Sequence, residues 1–123
     1  MEKYKQRLAD GTFLEVPGIH PTEASSPEQC AEFRAIIERM YQLHLDKNQD
    51  YSPMNILATG MVGVVTRLWD KMARIMNLTG FDIRTGTLRA PKQPKNESLE
   101  DSFLDMANYA VIALIMSHGK WGK

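Results

Sequence analysis

The sequence predicts an all-α protein, in which three long helices and a short one form a bundle after an extended N-terminal arm. Apolar residues recur at spacings of three and four in three long segments, which is the period of a helix with one buried face. Each segment is also bounded by residues typical of helix ends. The 123 residues, 43% apolar and 24% charged, are ordinary for one globular domain. We therefore expect an arm over residues 1–25 and a single helical domain over residues 26–123.

The N-terminal arm is rich in glycine, proline and charged residues, which favour irregular backbone. Within it, residues 12–16 alternate between polar and apolar side chains. We expect either a short strand or a segment that holds a neighbouring subunit through the apolar side chains of Phe13, Leu14 and Val16.

The first helix signal is Ser26 followed by Pro27, a capping residue before a proline at the first helical position. This helix should run to about Lys47, and Pro53 should keep the chain from continuing it because proline disfavours helical geometry in the residue before it. Apolar residues three and four apart should form its inward face: Phe33, Ile36, Ile37, Met40 and Leu43.

The second helical segment should start near Pro53 or Met54, with an interruption around Gly60 and Gly63, and should end at Gly80. At 100° per residue its two sides differ in character. The side expected in the core carries Val65, Leu68, Trp69, Met72, Ile75 and Met76. The other side carries Arg67, Asp70, Lys71 and Arg74.

Residues 81–95 form a loop rich in proline and basic residues, in which residues 84–87 would close a small hairpin. Because long loops in compact domains are usually functional, we expect a lid or a substrate contact there. The last helix should open at Asn96 or Ser98 and end near His118. From Tyr109 onward it is apolar on every side, so we expect burial in the bundle or in a homo-oligomer, a dimer or tetramer.

Charge and cysteine content exclude several classes of protein. The formal net charge is zero, which gives no field for stable nucleic-acid binding. The one cysteine, Cys30, forms no internal disulfide and indicates a reducing compartment. The longest apolar run, residues 109–116, is far shorter than the roughly 20 residues that span a membrane. Since no apolar signal core opens the sequence, we expect a cytoplasmic protein without membrane contact.

The most informative residues lie on one face of the last helix: Glu97, Asp101, Asp105 and Asn108. Stacked carboxylates repel one another, and near a buried surface a cation is needed to compensate them. Oxygen ligands without paired histidines or cysteines select Mg²⁺ or Mn²⁺. The alternative is that these acids complement the positive end of the helix dipole and face water, an explanation that suits Glu97 better than Asp101 and Asp105.

Two further groups of residues fit a phosphate-bearing ligand. Arg67, Lys71 and Arg74 offer cations for phosphate oxygens and Asp70 a further carboxylate, although such a stripe also occurs on solvated surfaces. At the end of the first helix stand Lys47, Asp50 and Tyr51; a turn explains the aspartate but neither of its neighbours.

Three motifs in this order resemble a known family: Lys47-x-x-Asp50-Tyr51, Arg67-x-x-Asp70-Lys71-x-x-Arg74, and Glu100-Asp101-x-x-x-Asp105-x-x-x-Tyr109. The chain resembles the phage-associated nucleotide modification domain of the first type, which is similar to the all-α nucleoside triphosphate pyrophosphatases of the MazG and dimeric dUTPase group. The resemblance covers about residues 30–117. It implies a MazG-like domain, in the host cytoplasm if a phage encodes it.

By this resemblance Asp101 and Asp105 are metal ligands, and Asp70 matches the acidic helix before them. The sequence departs from the family at one point. The pyrophosphatases carry a Glu-x-x-Glu pair on that earlier helix, where this chain has Arg67 and Asp70.

The first hypothesis is a Mg²⁺-dependent hydrolase that cleaves a (deoxy)nucleoside triphosphate to monophosphate and pyrophosphate. The metal would be held by Asp70, Asp101 and Asp105, and its bound water would attack phosphorus. Lys71 and Arg74 would neutralise the departing pyrophosphate. Catalysis is thus assigned to Asp70, Lys71, Asp101 and Asp105. Substrate binding is assigned to Lys47, Asp50, Tyr51, Arg67, Arg74 and Asn108, with Tyr51 or Trp69 stacked on the base.

Two other hypotheses remain open. The protein could bind or sequester a nucleotide without cleaving it, or assist phage DNA modification, which the missing Glu-x-x-Glu pair favours. Alternatively, it is a small helical interaction module whose acidic face binds a basic protein surface, in which case no metal dependence is expected.

Overall fold

The computed structural model describes residues 3–7, 13–17, 26–95 and 97–123, and for residues 3–7 and 13–17 it describes the backbone alone. The described elements, in chain order, are β1 (Lys3–Arg7), β2 (Phe13–Pro17), α1 (Pro27–Asp50), α2 (Met54–Thr79), β3 (Phe81–Asp82), β4 (Thr87–Leu88) and α3 (Leu99–Ser117). Helices account for most of these residues, which confirms the predicted all-α character. Each pair of strands forms a small antiparallel sheet.

The chain divides into two compact units, Met1–Arg39 and Met40–Lys123, with the division inside α1. The first unit contains the β1–β2 hairpin, in which Lys3 lies opposite Pro17 and Arg7 opposite Phe13. The strand expected over residues 12–16 is therefore present as β2, whereas its pairing with β1 was not predicted. The proposed anchoring side chains of the arm lie outside the described side chains.

Helix α1 begins as the sequence predicts, because the Ser26 hydroxyl accepts a hydrogen bond from the Gln29 amide at 3.2 Å. It continues past the predicted end at Lys47, as far as Asp50. No residue of α1 is buried, although its apolar stripe was expected to face inward. Phe33, for example, is exposed.

Helix α2 is interrupted at Gly60, whose φ of 63° and ψ of −157° suit only glycine, so the predicted short helix is its first segment. It ends at Gly80 in the left-handed conformation, as predicted. A Cβ at Gly80 would lie 2.3 Å from the Arg89 carbonyl oxygen, so glycine is required there on two counts.

The buried side of α2 is rotated from the predicted one. Val64 is completely buried, whereas Val65 and Trp69, both expected in the core, are 55% and 48% exposed. The reason is that α3 packs against α2 on the Val64 side. Partly buried apolar residues surround the core residues Ile56, Val64 and Trp121, namely Leu68, Tyr109, Ile112, Ala113, Ile115 and Met116.

The loop after α2 forms the predicted hairpin, with Phe81 paired to Leu88 across β3 and β4. Its return strand is fixed to the end of α2, since the Arg89 amide donates to the Gly80 carbonyl at 2.7 Å. Two hydrogen bonds from the Arg84 guanidinium, to the two Asp82 oxygens at 3.2 and 3.0 Å, brace the turn. They also hold the pKa of the Asp82 carboxyl below its ordinary value.

Helix α3 opens with a capping box, in which the Ser98 hydroxyl accepts from the Asp101 amide at 3.0 Å and the Asp101 carboxylate accepts from the Ser98 amide at 3.4 Å. Of the two predicted caps, Asn96 lies outside the described residues. Beyond the helix, the Trp121 indole N–H donates to the Pro53 carbonyl at 3.0 Å, which ties the chain end to the start of α2. In the described part of the chain, no helix combines the length and apolarity that crossing a membrane requires.

Candidate functional site

A cavity of about 430 Å³ lies within the unit Met40–Lys123, where polar faces of its helices meet. Its polar side chains come from four stretches of the chain. They include Lys47 from α1, Tyr51 from the following turn, Arg67 and Lys71 from α2, and Asp105 and Asn108 from α3. The structure thus brings together residues from all three motifs that the sequence analysis singled out.

Asp105 lines this cavity, with its side chain 15% exposed. Its Oδ1 accepts a hydrogen bond from Lys47 Nζ at 2.9 Å, and its Oδ2 lies 2.8 Å from Lys71 Nζ. Residues 58 and 34 positions away along the chain therefore converge on one carboxylate. Both oxygens are already paired with cations, so the group is compensated without a metal ion.

Asp105 and Lys71 stabilise each other's charged forms. Burial alone would raise the pKa of the Asp105 carboxyl, but hydrogen bonds and charges of Lys71 and Lys47 outweigh it and lower that pKa below 3.8. Burial alone would lower the pKa of the Lys71 ammonium, but Asp105 and Glu97 together raise it above 10.5. Both groups are charged at neutral pH.

Glu97 forms a second contact of Lys71, whose Nζ lies 3.0 and 3.1 Å from the two carboxylate oxygens. Arg74 donates to the Glu97 backbone carbonyl, and its Nε lies 3.6 Å from Oε2. The hydroxyl of the completely buried Ser102 is 3.5 Å from Oε1. Glu97 therefore joins the start of α3 to α2, rather than only facing water as a helix-dipole acid.

Asn108 supplies the cavity with a donor that has no acceptor. Its side-chain nitrogen is buried and has no hydrogen-bond partner among the described residues. An unpaired buried donor costs about 1 to 3 kcal/mol, which a ligand with an acceptor atom at that position would recover. Among the residues that line the cavity, the side-chain nitrogen of Asn108 is the polar atom that a ligand would satisfy most directly.

Four predicted site residues do not line the cavity. Asp70 is exposed on α2, Asp50 is exposed at the end of α1, and Arg74 is occupied with Glu97. Asp101 is exposed, and its carboxylate serves the capping box. Of the three predicted metal ligands, Asp105 alone faces the cavity. Within the described ranges, no three His, Cys, Asp or Glu side chains converge as a metal site would require.

Sequence reasoning missed His44, Asn55 and Trp121, all of which line the cavity. The His44 ring meets the Trp121 ring edge to face at 5.7 Å. A signal for His44 existed, since it precedes Lys47 by three positions and therefore shares its helix face. None existed for Trp121, which reaches the cavity from beyond the end of α3.

The hairpin after α2 borders a different, smaller cavity of about 290 Å³, lined by Trp69, Arg84 and Arg89 among others. Residues 81–95 contribute nothing to the lining of the larger cavity. These residues were predicted to form a lid or a substrate contact, but they do not border the cavity that Asp105 lines.

Comparison with known proteins identifies no relative of this chain. No protein-family model matches the sequence, and neither the curated proteins nor the solved structures contain a significant match.

Proposed function

We propose that the cavity around Asp105 binds a phosphorylated nucleotide. The observation that carries this proposal is the convergence of Lys47 and Lys71 on a single carboxylate beside a third cation, Arg67. Counting Arg74 and Glu97, the network has four cations and two carboxylates, an excess of two positive charges. Such an excess in a partly buried site favours a small anion, although the whole chain has no net charge.

Phosphate oxygens would replace Asp105 as the partner of Lys47. The Lys47 side chain is 47% exposed and flexible, so it can turn from Asp105 toward a ligand at little cost. Lys71 is held by Asp105 and Glu97 and stays in place as a fixed charge. A phosphate group presents several strong acceptors, which suits two ammonium groups and the Arg67 guanidinium.

The remaining wall of the cavity suits a base and sugar. Apolar Ile56 and Ile112 and the aromatic side chains of Tyr51, Tyr109 and Trp121 offer contact area for a planar ring. The volume of about 430 Å³ is in the range typical of small-molecule sites. Asn108 would donate its unpaired N–H to an acceptor of the base or sugar.

Metal-dependent hydrolysis of a nucleoside triphosphate to monophosphate and pyrophosphate remains a prediction. Asp105 is the candidate ligand, and it fits Mg²⁺ poorly in the present arrangement because both of its oxygens accept from ammonium groups. A divalent ion would have to displace Lys47 or Lys71. Binding without hydrolysis is therefore the function that the geometry supports better.

The test is calorimetric titration of the protein with ribo- and deoxynucleoside triphosphates, once with EDTA and once with Mg²⁺. Binding in EDTA is expected. Lys47→Gln removes one charge-assisted contact and should weaken binding about tenfold or more, since such a contact contributes about 1.5 to 3 kcal/mol. Lys92→Gln is the matched control, because Lys92 contacts Asn77 and does not line the cavity.

No heat and no thermal stabilisation with any triphosphate would contradict the proposal and favour a helical interaction module. Equal loss of affinity in both lysine variants would mean that binding is non-specific and does not use the cavity. Product analysis of the Mg²⁺ samples separates the two nucleotide hypotheses: monophosphate with pyrophosphate indicates the hydrolase, and intact triphosphate indicates the binder.

We also propose that the protein is a homo-oligomer. Many large apolar side chains of the described helices are exposed to solvent, more than a monomeric protein usually leaves uncovered.

A further inference from the structure

Residues 81–95, the basic segment, have no part in the nucleotide cavity but border a cavity of their own. The segment has four cations and one carboxylate, an excess of three positive charges in a chain whose net charge is zero. The cations are Arg84, Arg89, Lys92 and Lys95, and the carboxylate is Asp82. The basic segment therefore presents a local field that favours an anionic partner.

Two backbone hydrogen bonds fix the basic segment to the end of α2. The Arg89 amide donates to the Gly80 carbonyl at 2.7 Å, and the Lys92 amide donates to the Leu78 carbonyl at 2.9 Å. The Lys92 ammonium also donates to the side-chain oxygen of Asn77, which lines the smaller cavity, at 3.2 Å. The segment therefore holds Arg89 and Lys92 beside this cavity in a fixed arrangement.

The two arginines that line the smaller cavity differ in what they contact. The Arg84 guanidinium donates two hydrogen bonds to Asp82, so these two charges compensate each other. The Arg89 guanidinium forms no hydrogen bond or ion pair with any side chain in the described ranges, and it acts on Asp82 through charge alone. Among the described residues of the wall, Arg89 is thus the cation that is left for a ligand, and the wall has a net charge of plus one.

The indole of Trp69 adds a free aromatic face to the same wall. Trp69 is 48% exposed, and among the residues that the structure describes no ring or hydrogen-bond partner occupies its indole. Exposed aromatic side chains of this kind stack on nucleic acid bases of any sequence, since every base has a π face.

A single strand of nucleic acid matches both the cavity and the surface beside it. Each nucleotide has one planar base for Trp69 and one singly charged phosphate for Arg89. Neighbouring phosphates would meet Lys92 and Lys95, which a small monoanion would not use. The volume of about 290 Å³ lies just below the range of roughly 300 to 1,000 Å³ for sites that enclose a whole ligand, which suits one nucleotide of a longer strand.

We propose that α2 and the basic segment bind single-stranded nucleic acid, with one base stacked on Trp69 and its phosphate on Arg89. A duplex fits less well, because its paired bases cannot stack on a side chain. Since the whole chain has no net charge, binding is weak and salt-dependent, with a dissociation constant of about 1 to 100 μM. No residue lines both cavities, so this site is separate from the one around Asp105.

The first experiment measures the fluorescence anisotropy of a labelled oligothymidylate of about twelve nucleotides over a range of salt concentrations. Trp69→Ala should weaken binding about fivefold or more without changing the salt dependence, because it removes stacking and no charge. Trp69→Tyr keeps a ring and should restore most of the affinity. Phe81→Ala is the matched control: Phe81 is 45% exposed on the same hairpin but does not line the cavity, so affinity should persist. Circular dichroism should show the helices of all variants intact.

The second experiment changes charge and compares the salt dependence. Arg89→Gln removes one phosphate contact and should reduce the slope of log affinity against log salt by about 0.7. Asp82→Asn releases Arg84 from its carboxylate and should tighten binding severalfold with a steeper slope. Lys123→Gln is the matched control, because Lys123 is an exposed cation that lines neither cavity.

The two sites are distinguished by exchanging the probes. Arg89→Gln should bind nucleoside triphosphates as wild type does, because Arg89 does not line the larger cavity. Lys47→Gln should bind the oligothymidylate as wild type does, because Lys47 does not line the smaller one.

Three results would overturn the single-strand site. They are the absence of an anisotropy change at low salt, equal losses in Trp69→Ala and Phe81→Ala, and equal affinity for a duplex or for polyglutamate of similar charge. Equal affinity for polyglutamate would mean that the basic segment binds an acidic protein surface instead. Each of these results would leave nucleotide binding around Asp105 unaffected, since it is measured with a different probe.

Discussion

The two faces of α3 have opposite surroundings. On one face, Leu104 is buried and Asp105 is held by two lysines; on the other, Phe103 and Leu114 are exposed. From Tyr109 onward the helix is apolar on every side, a pattern that indicated burial in the bundle or in a homo-oligomer. One helix therefore has two environments, with a packed side inside the chain and an apolar side that is exposed to solvent.

The inner face is defined by charge as much as by apolar packing. Lys71 reaches both Asp105 and Glu97, so a single cation of α2 contacts the second turn of α3 and the residue just before its cap. Partly buried ion pairs of this kind contribute less to stability than to the geometry of the helices, because desolvation offsets much of their attraction. Their effect is to hold the cavity wall in one arrangement.

The largest effect is expected from a pair of matched substitutions on the two faces. Leu104→Ala should lower the free energy of unfolding by about 2 to 4 kcal/mol, because it opens a cavity at a buried position. Leu114→Ala should cost less than about 0.5 kcal/mol in dilute monomer, since its side chain is exposed. Urea denaturation at low and high protein concentration measures both.

Concentration is the discriminating variable in this comparison. The loss caused by Leu104→Ala should be the same at both protein concentrations. That caused by Leu114→Ala should grow at the higher one, where the proposed homo-oligomer contributes to stability by mass action. Equal losses at both positions in dilute protein would mean that the two faces do not differ.

A smaller effect is expected from Asp105→Asn, which removes the charge between two lysines and keeps the shape. The free energy of unfolding should fall by about 1 to 2 kcal/mol near pH 7, because Lys47 and Lys71 then repel one another with no carboxylate between them. Denaturation as a function of pH measures this loss.

The pH dependence has a definite sign for each group. The Asp105 pKa is lowered, so its contribution is present above the unfolded-state value of about 4 and is lost as pH falls through the folded value. The Lys71 pKa is raised, so its contribution is present below its ordinary value of 10.5 and is lost as pH rises through the folded value. Asp105→Asn should reduce both losses. If Asp105→Asn lost stability at acidic pH in the same way as wild type, a carboxyl group other than Asp105 would be responsible for that loss.

Local signals predicted the helices well, whereas the facing of α2 required tertiary information. Ser26, Gly80 and Ser98 act through neighbours a few residues away, so their roles follow from the sequence. The exposure of Val65 and Trp69 does not follow from the sequence, because it depends on which side of α2 packs against α3. Periodicity gives the width of an apolar face and leaves its centre uncertain by about one residue.

The candidate site was predictable where its residues share a helix face. Lys71 and Asp105 each belong to a polar stripe that the sequence displays, and the structure brings these stripes together. Asp101 belongs to the same stripe, but its position in the first turn lets the Ser98 amide compete for its carboxylate. Trp121 was not predictable, since no periodic pattern extends beyond the end of α3.

The smallest effect is expected from Ser98→Ala. This variant tests whether the start of α3 positions both faces of the helix. It removes the hydroxyl that accepts from the Asp101 amide and should lower the free energy of unfolding by about 1 kcal/mol. Ser117→Ala is the matched control: its hydroxyl contacts the Ala113 carbonyl within the same helix and caps nothing, so a change below about 0.5 kcal/mol is expected. Hydrogen exchange should locate the loss at the first turn of α3, next to the contacts of Glu97 with Lys71. If both serine variants were equally stable, the capping box would not be what sets the start of the helix.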